Sequence, residues 1–367
     1  MNASDNWHAF TAIRGVQAGR EYYVAMCPLK VVPKIFLFDD VELPPELRAQ
    51  RTLNRTRIPE IARYLTDNRR SYILSSITAS VDGQIRFEPF SEGDESSNAG
   101  RLHVPMTARF LIADGQHRRA ALEEALKESP EMGEETLSVV FFPDAGLKRS
   151  QQMFADLNRH AIRPTKSLGI LYDHRDPMSL LARRLAQEVS VFKNVTEMEK
   201  TSIPNRSTKL HTLSSIYQAT RTLLGKRKQV KIAEDEAKLA IEFWETVGKS
   251  MRDWQLASKK QVSCAELRRD YVHAHGLALQ AIAFAGTTLL AENPRGWKRQ
   301  IQALETIDWS RANSAVWEGR ALVNGRVSKA NVNVTLTANL LKQAFGVTLG
   351  TSEKQLENQF LKSHRAA

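Results

Sequence analysis

Residues 110–126 read Phe-Leu-Ile-Ala-Asp-Gly-Gln-His-Arg-Arg-Ala-Ala-Leu-Glu-Glu-Ala-Leu, and this stretch decides the fold. An apolar, strand-like run, Phe110 to Ala113, gives way at Asp114-Gly115-Gln116-His117-Arg118 to a strongly helical one, Arg119 to Leu126. A glycine at a strand-to-helix turn lets backbone approach a ligand, because no Cβ stands in the way. The first amides of the helix then present unpaired N–H groups and the positive dipole end. His117, Arg118 and Arg119 add side-chain donors, so the turn suits an anion, a phosphate before most others. Two structural alternatives accompany this. Asp114 reads equally as an N-cap, and His117 and Arg118 as a hydrogen-bond knot between strand and helix.

Working outward, Phe10 to Phe38 alternates β-branched and aromatic residues between Gly15, Gly19, Pro28 and Pro33, predicting two or three short strands. A helix is predicted over Ile58 to Leu65, with Pro59 in its first turn. Tyr72 to Ala79 reads as a strand, and Asp82-Gly83 as a hairpin turn into Ile85-Arg86-Phe87. Ser91 to Gly100 reads as a polar loop, Leu102 to Met106 as a strand, and Leu137 to Phe142 as a buried strand. Beyond Tyr172 the period becomes helical, with candidates at Pro177–Val189, Lys209–Leu224, Ile232–Arg252, Ala265–Leu290 and Leu336–Phe345. The expectation is an α+β protein: a mixed domain over residues 1–170 and a mainly α-helical domain over 171–367.

The chain has 367 residues, 42% apolar and 25% charged, with a formal charge of +11. Such a balance favours polyanionic partners, nucleic acid first. One basic cluster is Arg48, Arg51, Arg55, Arg57, Arg63, Arg69 and Arg70. A second is Lys148, Arg149, Arg159, Arg163 and Lys166. A third runs from Lys200 to Lys231 without an acidic residue and holds Arg206, Lys209, Arg221, Lys226, Arg227 and Lys228. One such run alone reads as a solvated face; three in a basic chain point to phosphate-backbone contact.

Cys27 and Cys264 lie too far apart for a CxxC and form no zinc spacing; Cys27 reads as a buried structural thiol. The pair His273 and His275 reads as a helix-surface feature, and Glu123 and Glu124 as a solvated helix face. There is no Walker A box. The N-terminus carries no apolar leader, and His275 to Ala291 is too short to span a bilayer. A cytoplasmic protein with no membrane partner is expected.

The Asp114–Arg118 box, the upstream Leu53-Asn54-Arg55-Thr56-Arg57-Ile58-Pro59-Glu60-Ile61-Ala62-Arg63-Tyr64-Leu65 and the downstream Phe154-Ala155-Asp156-Leu157-Asn158-Arg159 resemble the DGQHR-domain proteins. Over most of its length the chain is similar to the DndB family, the regulatory component of DNA phosphorothioate (sulfur) modification. The resemblance implies a ParB/sulfiredoxin-like N-terminal domain and a DNA-binding repressor of the modification operon. It implies double-stranded DNA at the promoter as partner, alongside other phosphorothioate modification proteins, and a homo-oligomer as one option. It also implies ATP and Mg2+ as cofactors. Nucleotide phosphates would be held at Asp114, Gly115, Gln116, His117 and Arg118, the metal at Asp114 and Asn158. Asp156 and Asn158 match an acid/amide element of ParB-like domains loosely. DNA would be gripped by Arg55, Arg57, Arg159, Arg163, Lys166, Arg206, Lys209, Lys226, Arg227 and Lys228. Sulfiredoxin carries its reactive cysteine where this chain has Gln116, which removes thiol chemistry at the box. Two other readings stay open: an enzyme, such as a slow ATPase or a nucleic-acid-cleaving protein, and a scaffold for the modification enzymes.

Overall fold

The computed structural model describes residues 7–36, 55–91, 93, 95–143, 152–153, 155–157, 164–226 and 231–365. The chain divides into two compact units, Met1–Ile162 and Arg163–Ala367, each with its own apolar core. The protein is α+β, with a large sheet in the first unit and a helical second unit.

The first unit opens on a hairpin of β1 (Trp7–Gln17) and β2 (Arg20–Pro28), paired as far as Gln17 opposite Arg20. Ala18 and Gly19 between them have φ of 49° and 72°, the primed-turn geometry whose twist matches that of paired strands. Instead of a third strand, Pro33 starts a single helical turn, α1 (Val32–Ile35); its fixed φ and missing N–H are tolerated there. There follow α2 (Ile58–Asp67), β3 (Ile77–Asp82), β4 (Arg86–Pro89), β5 (Ala99–Pro105), β6 (Arg109–Asp114), α3 (Gln116–Glu128) and β7 (Thr136–Pro143).

The strands order as β4-β5-β1-β2-β7-β3-β6. Asp82-Gly83 is therefore not a hairpin turn. β3 lies between β7 and β6, while β4 pairs with β5 near the opposite edge. A local turn signal carries no information about which strand the chain rejoins. Alternate residues of the strands, among them Cys27, Ile77, Ala79, Val139 and Phe141, share one core with Val32, Leu65, Ala121 and Leu122 of the helices. Burial pushes the Cys27 thiol up to about 12, so it stays protonated and acts as a small apolar side chain.

The second unit begins with α4 (Lys166–Tyr172) and α5 (Pro177–Glu188). A two-stranded pair, β8 (Thr196–Glu197) with β9 (His211–Thr212), precedes α6 (Leu213–Leu223), α7 (Glu234–Ser250), α8 (Arg252–Ser258) and α9 (Cys264–Asp270). Next come α10 (Gly276–Glu292), α11 (Trp297–Ile301) and α12 (Ser314–Trp317). The hairpin β10 (Leu322–Val323) with β11 (Arg326–Val327) leads to α13 (Asn331–Ala344) and α14 (Thr351–Arg365). Among the described residues no helix is long and apolar enough to cross a membrane.

The helix expected over Ala265–Leu290 is broken between α9 and α10. Tyr271 is extended, bridges to Ser310, and is followed by Val272 donating to the Trp309 carbonyl at 2.9 Å. The break buries His273, which sequence reading put on a helix surface. Trp254 Nε1 donates to its Nδ1 at 3.1 Å, which fixes the tautomer and leaves Nε2–H facing Asp253 Oδ2 at 3.0 Å. Trp244 likewise donates to Thr220 Oγ1 and Trp317 to the Asp308 carbonyl, so these buried indoles carry no unpaired N–H.

α14 is held by charge. Arg320 and Glu357 pair with both side chains under 10% exposed, Arg320 also donates to the Leu336 carbonyl, and its guanidinium stacks on Phe360. Removing one member strands the other in the core. Glu357→Ala is expected to cost about 3–5 kcal/mol in denaturant unfolding of this unit, whereas truncating the exposed Lys298–Glu242 pair changes stability by less than about 1 kcal/mol.

The buried histidines set a pH dependence. Burial above all pushes His211 down to about 3 and His275 to about 4, the latter against the hydrogen bond its ring gives the Arg268 carbonyl. Below the ordinary histidine pKa of about 6.5 the unfolded chain takes up protons that the folded one refuses, so stability falls as pH drops from 7 toward 4. The thermal midpoint is expected to decline over that window, and His211→Phe, which keeps the ring against Trp254, is expected to flatten the decline.

Candidate functional site

The turn at residues 114–118 joins β6 to α3 as the sequence predicts. Gly115 is the N-cap of α3, with φ of 111°, and no side chain caps the helix. Asp114, read as the alternative cap, does something else: its Oδ2 accepts from Arg118 Nη2 at 2.9 Å. The first turn of α3 therefore has no side-chain cap, and its dipole makes it a positive end.

The reason for glycine is close packing within the chain. A Cβ at residue 115 would lie 2.8 Å from Ile77 Cγ1 and 3.1 Å from Arg118 Nη2. Arg118 folds back over Gly115 and donates from Nη2 to the Ser76 carbonyl at 2.9 Å, tying α3 to the residue before β3. Its Nε is buried without a hydrogen-bond partner. Arg119 is a second strap. Nε donates to the Phe36 carbonyl at 2.8 Å, Nη2 to the Pro33 carbonyl at 3.1 Å, and Nη1 to Glu123 at 2.8 Å. These donors hold α1 against α3, so Arg119 does not face a ligand as its place in the sequence implied. Gln116 is buried; Asp114, His117 and Arg118 are half-buried.

The knot and the candidate anion site thus share atoms. Arg118 secures the strand–helix joint and keeps one buried N–H unspent beside an uncapped helix end. These groups fit one phosphoryl group. For a metal ion the fit is narrower, since the Asp114 carboxylate is already paired with Arg118. Asn158 lies outside the described residues, and Asp156 accepts from Gln152 at 2.7 Å. Among the described residues no group of three or more His, Cys, Asp or Glu is arranged to hold a metal.

This geometry is carried by a chain with a family. The DndB model, described as DNA-sulfur modification-associated, matches residues 10–348. The chain belongs to the DndB family. No curated protein and no solved structure gives a significant match. The family ties this DndB-family chain to DNA sulfur modification and spans both units.

The basic residues expected on DNA separate into two groups. Arg55 and Arg57 are exposed on the turn before α2, and Lys166 is exposed at the start of α4. Lys226 is paired with Glu236 at 2.6 Å, and Lys209 donates from Nζ to the Asn194 carbonyl at 2.9 Å. Arg159, Arg163, Arg227 and Lys228 lie outside the described residues. Arg206 is exposed and joins Arg268, Arg311 and Lys329 around one cavity of the second unit. Sequence reasoning missed these last three, because they come from separate segments that only the fold assembles; the doublet Arg268-Arg269 was the one local signal.

Substituting Gly115 tests the packing directly. Gly115→Ala places a Cβ against Ile77 at a φ that L-residues avoid, and is expected to cost about 1–3 kcal/mol. Denaturant unfolding of the first unit measures it, and a change under 0.5 kcal/mol would contradict the packing described.

Proposed function

We propose that this DndB-family chain is a DNA-binding repressor of a DNA phosphorothioate modification operon, whose grip on promoter DNA is set by ATP at the DGQHR turn. The observation that carries the nucleotide half is the uncapped α3 N-terminus beside the unpartnered Arg118 Nε. The DNA half rests on the family, on a formal charge of +11, and on exposed arginines such as Arg55, Arg57, Arg63 and Arg70 around α2.

In this reading Gly115 to Arg118 hold a terminal phosphate, which satisfies the α3 amides and Arg118 Nε. The bound nucleotide supplies negative charge that competes with Asp114 for Arg118. Releasing Asp114 from Arg118 weakens the strap to Ser76 and alters the joint between β3 and α3. The same joint supports α2, which packs on α3 and carries the exposed arginines. A ParB-like ancestry of the first unit agrees with a phosphate box at a strand–helix turn, and magnesium would accompany the nucleotide phosphates.

The test is a gel shift on the operon's own promoter across a salt series, with and without ATP and magnesium. Log affinity is expected to fall linearly with log salt, with the slope reduced by about 1 for each phosphate-contacting arginine removed, as in Arg55→Ala or Arg57→Ala. ATP is expected to shift the wild-type midpoint, and His117→Ala to lose that shift. A flat salt response would remove the DNA reading; an unchanged ATP effect in His117→Ala would remove the nucleotide site.

A further inference from the structure

The second unit holds a cavity of about 600 Å³ whose wall carries Arg206, Arg268, Arg269, Arg311 and Lys329 against one carboxylate, Glu266. Arg268 and Arg311 spend their donors on backbone carbonyls, Arg268 on Pro204, Asn205, Ser207 and Lys209, Arg311 on Arg269 and Gly325. These bonds fix the position of the charge without neutralising it. Arg269 is paired with Asp270. Arg206 and Lys329 have no ion-pair partner among the described residues.

The placement of Lys329 is the telling feature. Its Nζ would lie 3.4 Å from a Cβ built on Gly276, the first residue of the 17-residue helix α10. His275, the N-cap, spends its Nε2 on the Arg268 carbonyl at 2.8 Å, so no side chain caps the Gly276 and Leu277 amides that open α10, while the Ala278 amide donates to the His275 carbonyl at 3.0 Å. The neighbouring α6 is different: Thr212 and Ser215 form a reciprocal capping box there. A cation beside the positive end of an uncapped helix is unfavourable by itself. An anion between them turns each repulsion into an attraction.

A second observation points into the same cavity. His211 lines it with 2% exposure, and neither ring nitrogen has a hydrogen-bond partner. An unpartnered buried polar group is costly. Burial keeps the ring neutral, with His273, His275, Arg268 and Lys329 acting in the same direction.

We propose that this cavity, between the first turns of α6 and α10 and the segment containing Arg206, is a second anion site that takes a free phosphorylated ligand of nucleotide size. The volume lies within the range of small-ligand pockets, roughly 300–1,000 Å³. The backbone phosphates of duplex DNA lie on a convex cylinder and favour an open basic face over a concavity. The free ligand is therefore the occupant that the shape selects. The site lies wholly in the second unit and does not rest on the reading of the DGQHR turn.

Isothermal titration of the full chain with tripolyphosphate, and separately with ATP, tests the site. Wild type is expected to bind tripolyphosphate saturably. Replacing two exposed side chains together, Arg206→Ala with Lys329→Ala, is expected to weaken that binding by at least about tenfold, because two charge-assisted contacts are lost. The thermal midpoint is expected to stay unchanged. His117→Ala is expected to leave binding at this cavity intact, which separates it from any event at residues 114–118. Equal affinity in the double variant would overturn the proposal, as would the absence of saturable binding by wild type. A double variant that loses promoter-duplex affinity while wild type ignores tripolyphosphate would overturn it in favour of a DNA contact.

Discussion

The first unit depends on two adjacent guanidinium groups satisfying backbone carbonyls that no strand or helix uses. Arg118 takes the Ser76 carbonyl, and Arg119 takes those of Pro33 and Phe36. Ser76 lies just before β3, and Pro33 and Phe36 lie in and just after the single turn α1, where such oxygens would otherwise go unpaired. Because both arginines stand in the first turn of α3, one helix end fastens α1, the approach to β3, and the turn from β6. Gly115 is required for the same reason, since Ile77 and Arg118 occupy the space a side chain would need.

The second unit repeats this solution with Arg268, whose donors collect four carbonyls of the Pro204–Lys209 segment. In both units, then, part of the positive charge is architectural. What separates a proposed binding residue from a strap is the donor left over: the Arg118 Nε and the ammonium of Lys329, beside helix ends of α3 and α10 that no side chain caps. Net charge alone does not make this distinction. Lys226 and Lys209, in the same basic run as Arg206, are engaged with Glu236 and the Asn194 carbonyl, whereas Arg206 is not.

The resemblance that the DGQHR box implied is matched at the level of the DndB family, over residues 10–348. The Asp114–Arg118 turn is the mechanical joint of the first unit. Any ligand held there acts on a joint, so a response of the whole first unit to occupancy follows from its mechanics. In the proposed reading the same logic makes Asp114 a competitor of the phosphate for Arg118.

Much was legible in the residues themselves, because it depended on near neighbours. The strand–glycine–helix passage at Phe110–Leu126, short strands within Phe10–Phe38, the buried strand at Leu137–Phe142 and the helical second half all follow from periodicity and turn chemistry. Cys27 was legible as a buried thiol for its place in an alternating strand. Other features depended on partners distant in the chain. Asp82-Gly83 looked like a hairpin, yet sheet order sent the two strands to different neighbours. His273 looked like a surface residue until Tyr271 paired with Ser310 and broke the helix. The cavity around Lys329 has no local signature, because Arg206, Arg268, Arg311 and Lys329 come from separate segments that meet only in the fold. Local sequence determines φ, ψ and the pattern of apolar faces; long-range packing alone decides which donors are spent and which remain.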